Sequence, residues 1–172
     1  MGLLKDKVAL ITGAGGGIGR GIARCYAREG AAVLIAELDP VTGAEAEAEL
    51  QQMGARALFV PTDVLRKDSV EAAIQAAADS FGGLDILINN AFVPSENVLL
   101  EDKTDAMLER TLTSTVWASW WAMRAALPHM RARGGGRIIN FTSIDVDIGA
   151  WQHADYNTGK SGVVGLTRSA AA

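Results

Sequence analysis

The sequence is poor in the residues that build covalent or metal-held frameworks. Its one cysteine, Cys25, lies in a helical stretch. No disulfide can close within the chain, which fits a reducing compartment, and Cys25 is read as a buried structural thiol. With two histidines in the whole chain, there is no ligand cluster for a metal and no His or Cys pairing for a nucleophile triad. Basic residues are outnumbered, 16 Lys and Arg against 20 Asp and Glu, so no positive field exists to gather nucleic acid phosphates. No apolar run approaches the ~20 residues that span a bilayer. Lys5 and Asp6 interrupt the place where a signal peptide would carry its apolar core. Gly2 could begin a myristoylation signal, but Asp6 stands where Ser or Thr is required. Repeats, linkers and low-complexity stretches are also missing. What is present is 172 residues, 49% hydrophobic and 21% charged. That composition excludes a disordered chain, and the length fits one domain, 1–172, around a single core. The chain is read as soluble and cytoplasmic, with no nucleic acid or membrane partner.

Short continuous apolar runs recur at Val8–Ile11, Ala32–Ala36, Ala57–Val60, Ile86–Ile88 and Ile138–Ile139 with Phe141. Continuous runs, unlike alternating ones, suit strands buried on both faces. Helical periodicity fills the intervals. Val70, Ile74 and Phe81 share a face before Gly82, and Ala46, Leu50 and Met53 share one before Gly54. Strand and helix alternating in this way imply an α/β fold with a parallel sheet covered on both sides. Right-handed crossovers then favour a doubly wound, Rossmann-like arrangement.

The first strand runs straight into Thr12-Gly13-Ala14-Gly15-Gly16-Gly17-Ile18-Gly19, and a helix follows. Glycines allow a tight turn and a close backbone approach to a pyrophosphate. The helix N-terminus adds free N–H groups and the positive end of its dipole. The absence of Lys-Ser or Lys-Thr after the loop argues against a nucleoside triphosphate loop. Glu37 closes the second strand about 20 residues on, where dinucleotide-binding folds place the acid that holds the adenosine ribose. Its charge would repel a 2′-phosphate, which favours NAD over NADP. Asp39 is the rival acid two residues later.

Ser143 follows the fifth strand, and Tyr156 and Lys160 lie four apart on one face of the next helix. A free tyrosine has a pKa of about 10, so acting near pH 7 asks for roughly 4 kcal/mol. A lysine ammonium ~5.5 Å away supplies about 3 kcal/mol at an effective dielectric of ~20, and a cofactor's charge can supply the remainder. Tyr156 can then act as general acid/base toward an alcohol or carbonyl oxygen, and Ser143 can hydrogen-bond the same oxygen.

Together these residues resemble the short-chain dehydrogenase/reductase family. The resemblance rests on the Thr12–Gly19 loop, Asp63-Val64 after the third strand and Asn89-Asn90-Ala91 at the end of the fourth. Ser143, Tyr156 and Lys160 complete it, with thirteen residues from Ser to Tyr. It runs from about Lys5 to the last residue. It implies a five-stranded sheet ordered 3-2-1-4-5. It also implies a cofactor set of Gly13, Gly17, Ile18, Gly19, Glu37, Asp63, Val64, Asn90, Ala91, Tyr156 and Lys160, and a catalytic set of Ser143, Tyr156 and Lys160. Asp63 would bond the adenine amino group, Val64 would pack on the adenine, Asn90 and Ala91 would line the cleft, and Lys160 would also hold the nicotinamide ribose. The implied reaction moves a hydride between NAD(H) and an alcohol/ketone pair.

Three departures accompany the resemblance. Thr115 stands where the family's helix carries a relay Asn, Phe92 stands where a Gly follows Asn-Asn-Ala, and two further strands with a substrate-covering segment are missing after Ala172. If that Gly position has positive φ, Phe92 is strained. The chain is therefore expected to be incomplete at its C-terminus, to bind NAD weakly, to turn over little or nothing and to aggregate through an apolar edge strand. A non-catalytic or degenerate NAD-binding fragment remains the alternative to an active enzyme. A sugar epimerase or dehydratase would need a longer substrate domain. Trp151 and His153, in the loop between Ser143 and Tyr156, are candidates to line the pocket, with His153 read rather as a solvated loop residue, and Phe92, Val93 and Pro94 are expected to form another wall, suiting an apolar or cyclic alcohol or ketone. Trp117, Trp120 and Trp121 exceed one core-facing stripe, and the remainder points to a homodimer or homotetramer.

Overall fold

The computed structural model describes residues 2–171. Five parallel strands form one sheet in the order β3-β2-β1-β4-β5: β1 Val8–Thr12, β2 Ala32–Glu37, β3 Ala57–Pro61, β4 Ile86–Asn89 and β5 Arg137–Asn140. Leu10 sits in register with Leu34 on one side and Leu87 on the other. These leucines share a fully buried face with Val70, Ile74 and Ala122. Ile11, Val33, Ile35 and Ile88 point the other way, onto Ala23, Ala46 and Leu50. Continuous apolar strands are thus sandwiched between two helix layers, each buried Leu or Ile contributing about 1.5–3 kcal/mol.

The helices are α1 Gly17–Arg28, α2 Pro40–Gln52, α3 Lys67–Phe81, α4 Asp105–Leu112, α5 Ala118–Ala132, the short α6 Asp145–Ile148 and α7 Ala154–Ala171. Asp39 starts α2 by accepting from the Val41 N–H at 2.8 Å and from that of Thr42, with Pro40 at the first helical position. Gly82 ends α3 in the left-handed region, φ 83°. Between α4 and α5 the helix widens into a π turn, Thr113–Trp117. The local sequence accounts for it. Thr115 Oγ1 donates to the Thr111 carbonyl at 2.6 Å, Ser114 Oγ to the same carbonyl, and Ser119 Oγ to that of Thr115. Hydroxyls that compete for helix carbonyls loosen the regular ladder.

Three sequence expectations change here. Cys25 is exposed, because Gly19 and Ala23 are the buried residues of α1 and Cys25, two positions on from Ala23, points away. Met53 caps α2 at the surface instead of joining Ala46 and Leu50 in the core. Phe92 carries no backbone strain, since Asp6 and Gln152 are the non-glycine residues with positive φ among those described. The fifth strand pairs with β4, and Ile139 is 43% exposed at that edge. No helix among the described residues is long and apolar enough to cross a membrane.

Candidate active site

The C-terminal ends of β1, β2 and β4 meet around the glycine loop. Gly13 takes a positive φ of 66° and donates to the Ala36 carbonyl at 2.7 Å, tying the loop to β2. A Cβ on Gly19 would overlap the Gly13 carbonyl, so the helix can start this close to the strand only with glycine there. Asn90 holds the loop from the other side, its Nδ2 donating to the carbonyls of Thr12 (2.9 Å) and Gly13 (3.2 Å). Thr12 Oγ1 returns the link by accepting from the N–H groups of Asn90 and Ala91, each at 3.0 Å.

A cleft of about 410 Å³ opens above these ends, with Gly13, Ile18, Glu37, Asp63, Val64 and Ala91 among its walls. Glu37 Oε2 accepts from the Gly15 N–H at 3.0 Å and Oε1 from the Leu38 N–H at 2.8 Å. The carboxylate is therefore fixed at the rim of the loop. Its rival Asp39 is spent on capping α2. Asp63 Oδ1 accepts from the Leu65 N–H, and the Asp63 N–H donates to Ser69 Oγ, so the turn after β3 is set before any ligand arrives. Gly17 and Gly19 lie within α1, and Gly17 is open to solvent, with no atom within 4 Å of where a Cβ would stand. One cation near the loop, Arg20, has no sequence motif to announce it. It donates to Glu49 at 2.8 Å, has Glu45 at 3.7 Å, and donates to the Gly15 carbonyl.

Tyr156 and Lys160 rise from α7 beside this cleft. Lys160 is 6% exposed, and burial pushes its pKa below the ordinary lysine value. Its Nζ donates to the Phe141 carbonyl at 2.8 Å and lies 5.7 Å from the centre of the Tyr156 ring. Phe92 packs edge-on to Tyr156 with ring centres 4.9 Å apart. Ser143 reaches this group indirectly. Its Oγ accepts from the Asp145 N–H at 3.2 Å, Asp145 Oδ2 meets His153 Nδ1 at 2.8 Å, and the His153 ring stands 5.7 Å from that of Tyr156. His153 is thus a held residue, not the solvated loop side chain expected, while Trp151 is 75% exposed and takes no part in the wall predicted for it.

A second cavity, of about 210 Å³, opens at Tyr156, with Phe92, Pro94, Ser95, Asn97 and His153 around it. Its floor is a buried polar cluster that the sequence did not reveal. Asp155, 3% exposed, pairs with Lys103 at 2.7 Å and accepts from Thr111 at 2.9 Å and from Ser95. Lys103 arrives from the loop before α4, fifty-two residues away, and no motif predicts such a contact. Thr115 sits under α7 with its hydroxyl bonded to its own helix. A Cβ on Gly159 would strike that hydroxyl, so Gly159 permits the close approach that brings Lys160 to Phe141.

A family model described as short chain dehydrogenase matches residues 7–172. The chain is 38% identical to the short chain dehydrogenase/reductase astE of Aspergillus oryzae, covering 98% of this chain and 65% of that protein. It is 40% identical to the cis-4-hydroxycyclohexanecarboxylate dehydrogenase of Sinomonas cyclohexanicum, covering 96% of this chain and 66% of that one. A crystal structure of an NAD+-bound xylitol dehydrogenase superimposes with a TM-score of 0.94 at 30% identity, over 98% of this chain and 65% of that one. The chain therefore spans about two thirds of the length of the relatives it matches.

Proposed function

The chain belongs to the short-chain dehydrogenase family of oxidoreductases, and on that premise we propose that the protein interconverts a secondary alcohol and its ketone with NAD(H), using Tyr156 as general acid/base. The observation that carries the reading is the junction of the two cavities. Phe92 borders both, and its ring stands against Tyr156, so a ligand in one cleft meets a ligand in the other at the tyrosine. Gly16 and Gly17, where a Cβ would meet no atom within 4 Å, leave the head of α1 open to a pyrophosphate. A nicotinamide dinucleotide held there supplies a hydride acceptor or donor.

Gly13, Gly17, Ile18 and Gly19 would bind the pyrophosphate side, Glu37 the adenosine ribose, and Asp63 and Val64 the adenine. Asn90 and Ala91 would line the middle. The fixed Glu37 carboxylate would reject a 2′-phosphate, and Arg20, already neutralised by Glu49 and Glu45, offers that phosphate no free cation; both support NAD. Lys160, buried with its Nζ 5.7 Å from the centre of the Tyr156 ring, would hold the nicotinamide ribose. Tyr156 would take the alcohol proton in oxidation and return it in reduction. Ser143 would hydrogen-bond the reacting oxygen. We further propose that the protein works as a homodimer or homotetramer, through the exposed Trp117 and Trp120 of the π turn and α5.

Thr115 favours the second reading, a relative that binds NAD without turnover, because its hydroxyl is committed to Thr111 and offers nothing to Lys160. One assay separates the two. The protein with NAD and a panel of cyclic and acyclic secondary alcohols should generate NADH. NADH binding with no hydride transfer to any alcohol or from any ketone would establish the second reading instead.

A further inference from the structure

Asp145 and His153 face each other across the loop between β5 and α7, Asp145 Oδ2 to His153 Nδ1 at 2.8 Å, beside the tyrosine that the proposed reaction uses. A histidine whose Nδ1–H is given to a carboxylate has its tautomer fixed, and its neutral ring then presents Nε2 as an acceptor. His153 Nε2 has no protein partner among the described residues, and the side chain is 32% exposed on the wall of the small cavity. Of the other polar groups of that wall, the Asn97 amide is available to a ligand, while Asp155 is engaged. Asp155 is paired with Lys103 through Oδ1 and accepts from Ser95 and Thr111 at Oδ2, and the Lys103 ammonium is buried in that pair, 6% exposed. The cavity therefore offers an incoming molecule carboxylates, an amide and an imidazole acceptor, and no free cation among the described residues.

We infer that the Asp145–His153 pair is a specificity element that selects neutral substrates carrying a second hydroxyl next to the reacting carbon, a vicinal diol or α-hydroxy ketone. The inference rests on the oxidoreductase reading above. Tyr156 deals with the oxygen that reacts. His153, its ring 5.7 Å from the tyrosine's, accepts from the hydroxyl on the neighbouring carbon, which keeps its proton. The reacting carbinol loses hydride to the nicotinamide and a proton to Tyr156, so a diol leaves as an α-hydroxy ketone. A carboxylate in place of the second hydroxyl would face Asp145 with no counter-charge and is disfavoured. Phe92 and Pro94 supply the apolar wall for the carbon frame. This narrows the apolar or cyclic substrate expected from sequence to one with an adjacent donor. Asp145 acts through His153, as a positioning residue.

The test compares three probes on one ring with NAD: cyclohexanol, 1,2-cyclohexanediol and 2-hydroxycyclohexanecarboxylate. The protein should favour the diol over cyclohexanol in kcat/KM by about tenfold, the net worth of one neutral hydrogen bond, with the difference in KM, and the carboxylate should rank last. His153→Phe should bring the diol-to-cyclohexanol ratio to near one. His153→Gln, which keeps an acceptor at that place, should recover part of it. Asp145→Leu should lower the ratio as His153→Phe does, and the double variant should lower it no further. Equal use of diol and cyclohexanol, a preference for the carboxylate, or an unchanged ratio in His153→Phe overturns the inference and leaves the oxidoreductase reading standing. Oxidation of none of the three, or of any other secondary alcohol, would remove that reading and the inference with it.

Discussion

Asp155 precedes Tyr156 in the chain and is nearly without solvent contact. Burial alone would raise its pKa. The hydrogen bonds from Lys103, Ser95 and Thr111 outweigh that and hold it at about 2. Its folded value lies below the unfolded one, so the charged form contributes stability above about pH 4, on the order of 2 kcal/mol, and that contribution is lost as the pH falls toward 2. Thermal melts of the wild type and Asp155→Asn between pH 6 and 2 check this: the gap between their Tm values should shrink through that window, and a gap independent of pH would refute it. Glu37 gives a second residue-level prediction. NADH should bind at least roughly tenfold tighter than NADPH, the cost of a carboxylate facing a phosphate, and Glu37→Ala should narrow the difference in a fluorescence titration. Tighter binding of NADPH by the wild type would overturn the assignment. Glu37 was legible in the sequence because strand ends and spacing to a glycine loop are local signals. Its hold on the Gly15 N–H was not, nor was the Asp155 cluster, because those contacts are made by chain segments that sequence order does not bring together. Cys25 shows the complementary error: one helix turn decides which face a residue takes, and a lone thiol gives no periodicity to read.

At the scale of elements, the helix from Thr113 to Ala132 carries the main surface claim. Trp121 packs partly on the core, with Trp117 stacked on it, ring centres 6.1 Å apart. Trp117 is 51% and Trp120 42% exposed, and Arg124 lies over the Trp120 ring. The sequence foresaw the excess of indoles over what one stripe can bury, since helical spacing alone sets that limit. It did not foresee the π turn, which arises where the Ser114 and Thr115 hydroxyls compete for the Thr111 carbonyl and Ser119 takes that of Thr115. If this surface joins copies of the chain, Trp117→Ser with Trp120→Ser should shift the protein to monomer by light scattering at micromolar concentration, with little change in NADH binding. A wild type that is already monomeric there contradicts the assembly proposed.

For the whole molecule, the parallel, doubly wound layering followed from the sequence because buried parallel strands read as continuous apolar runs, and five of them are separated by helices, whereas the strand order was what the family resemblance implied. What those runs could not specify is how two clefts come to share one wall. That depends on Phe92 turning its ring onto Tyr156, on Gly159 letting α7 lie against Thr115, and on the loop before α4 being pinned by Lys103. The account joins these at one point, the Tyr156 hydroxyl. The most direct test is therefore the steady-state oxidation of an alcohol substrate by NAD with the wild type and Tyr156→Phe side by side, together with the NADH dissociation constant of each. The account predicts that kcat falls at least about 100-fold in the variant while NADH affinity stays within a few-fold. Tyr156→Phe turning over at close to the wild-type rate would contradict it.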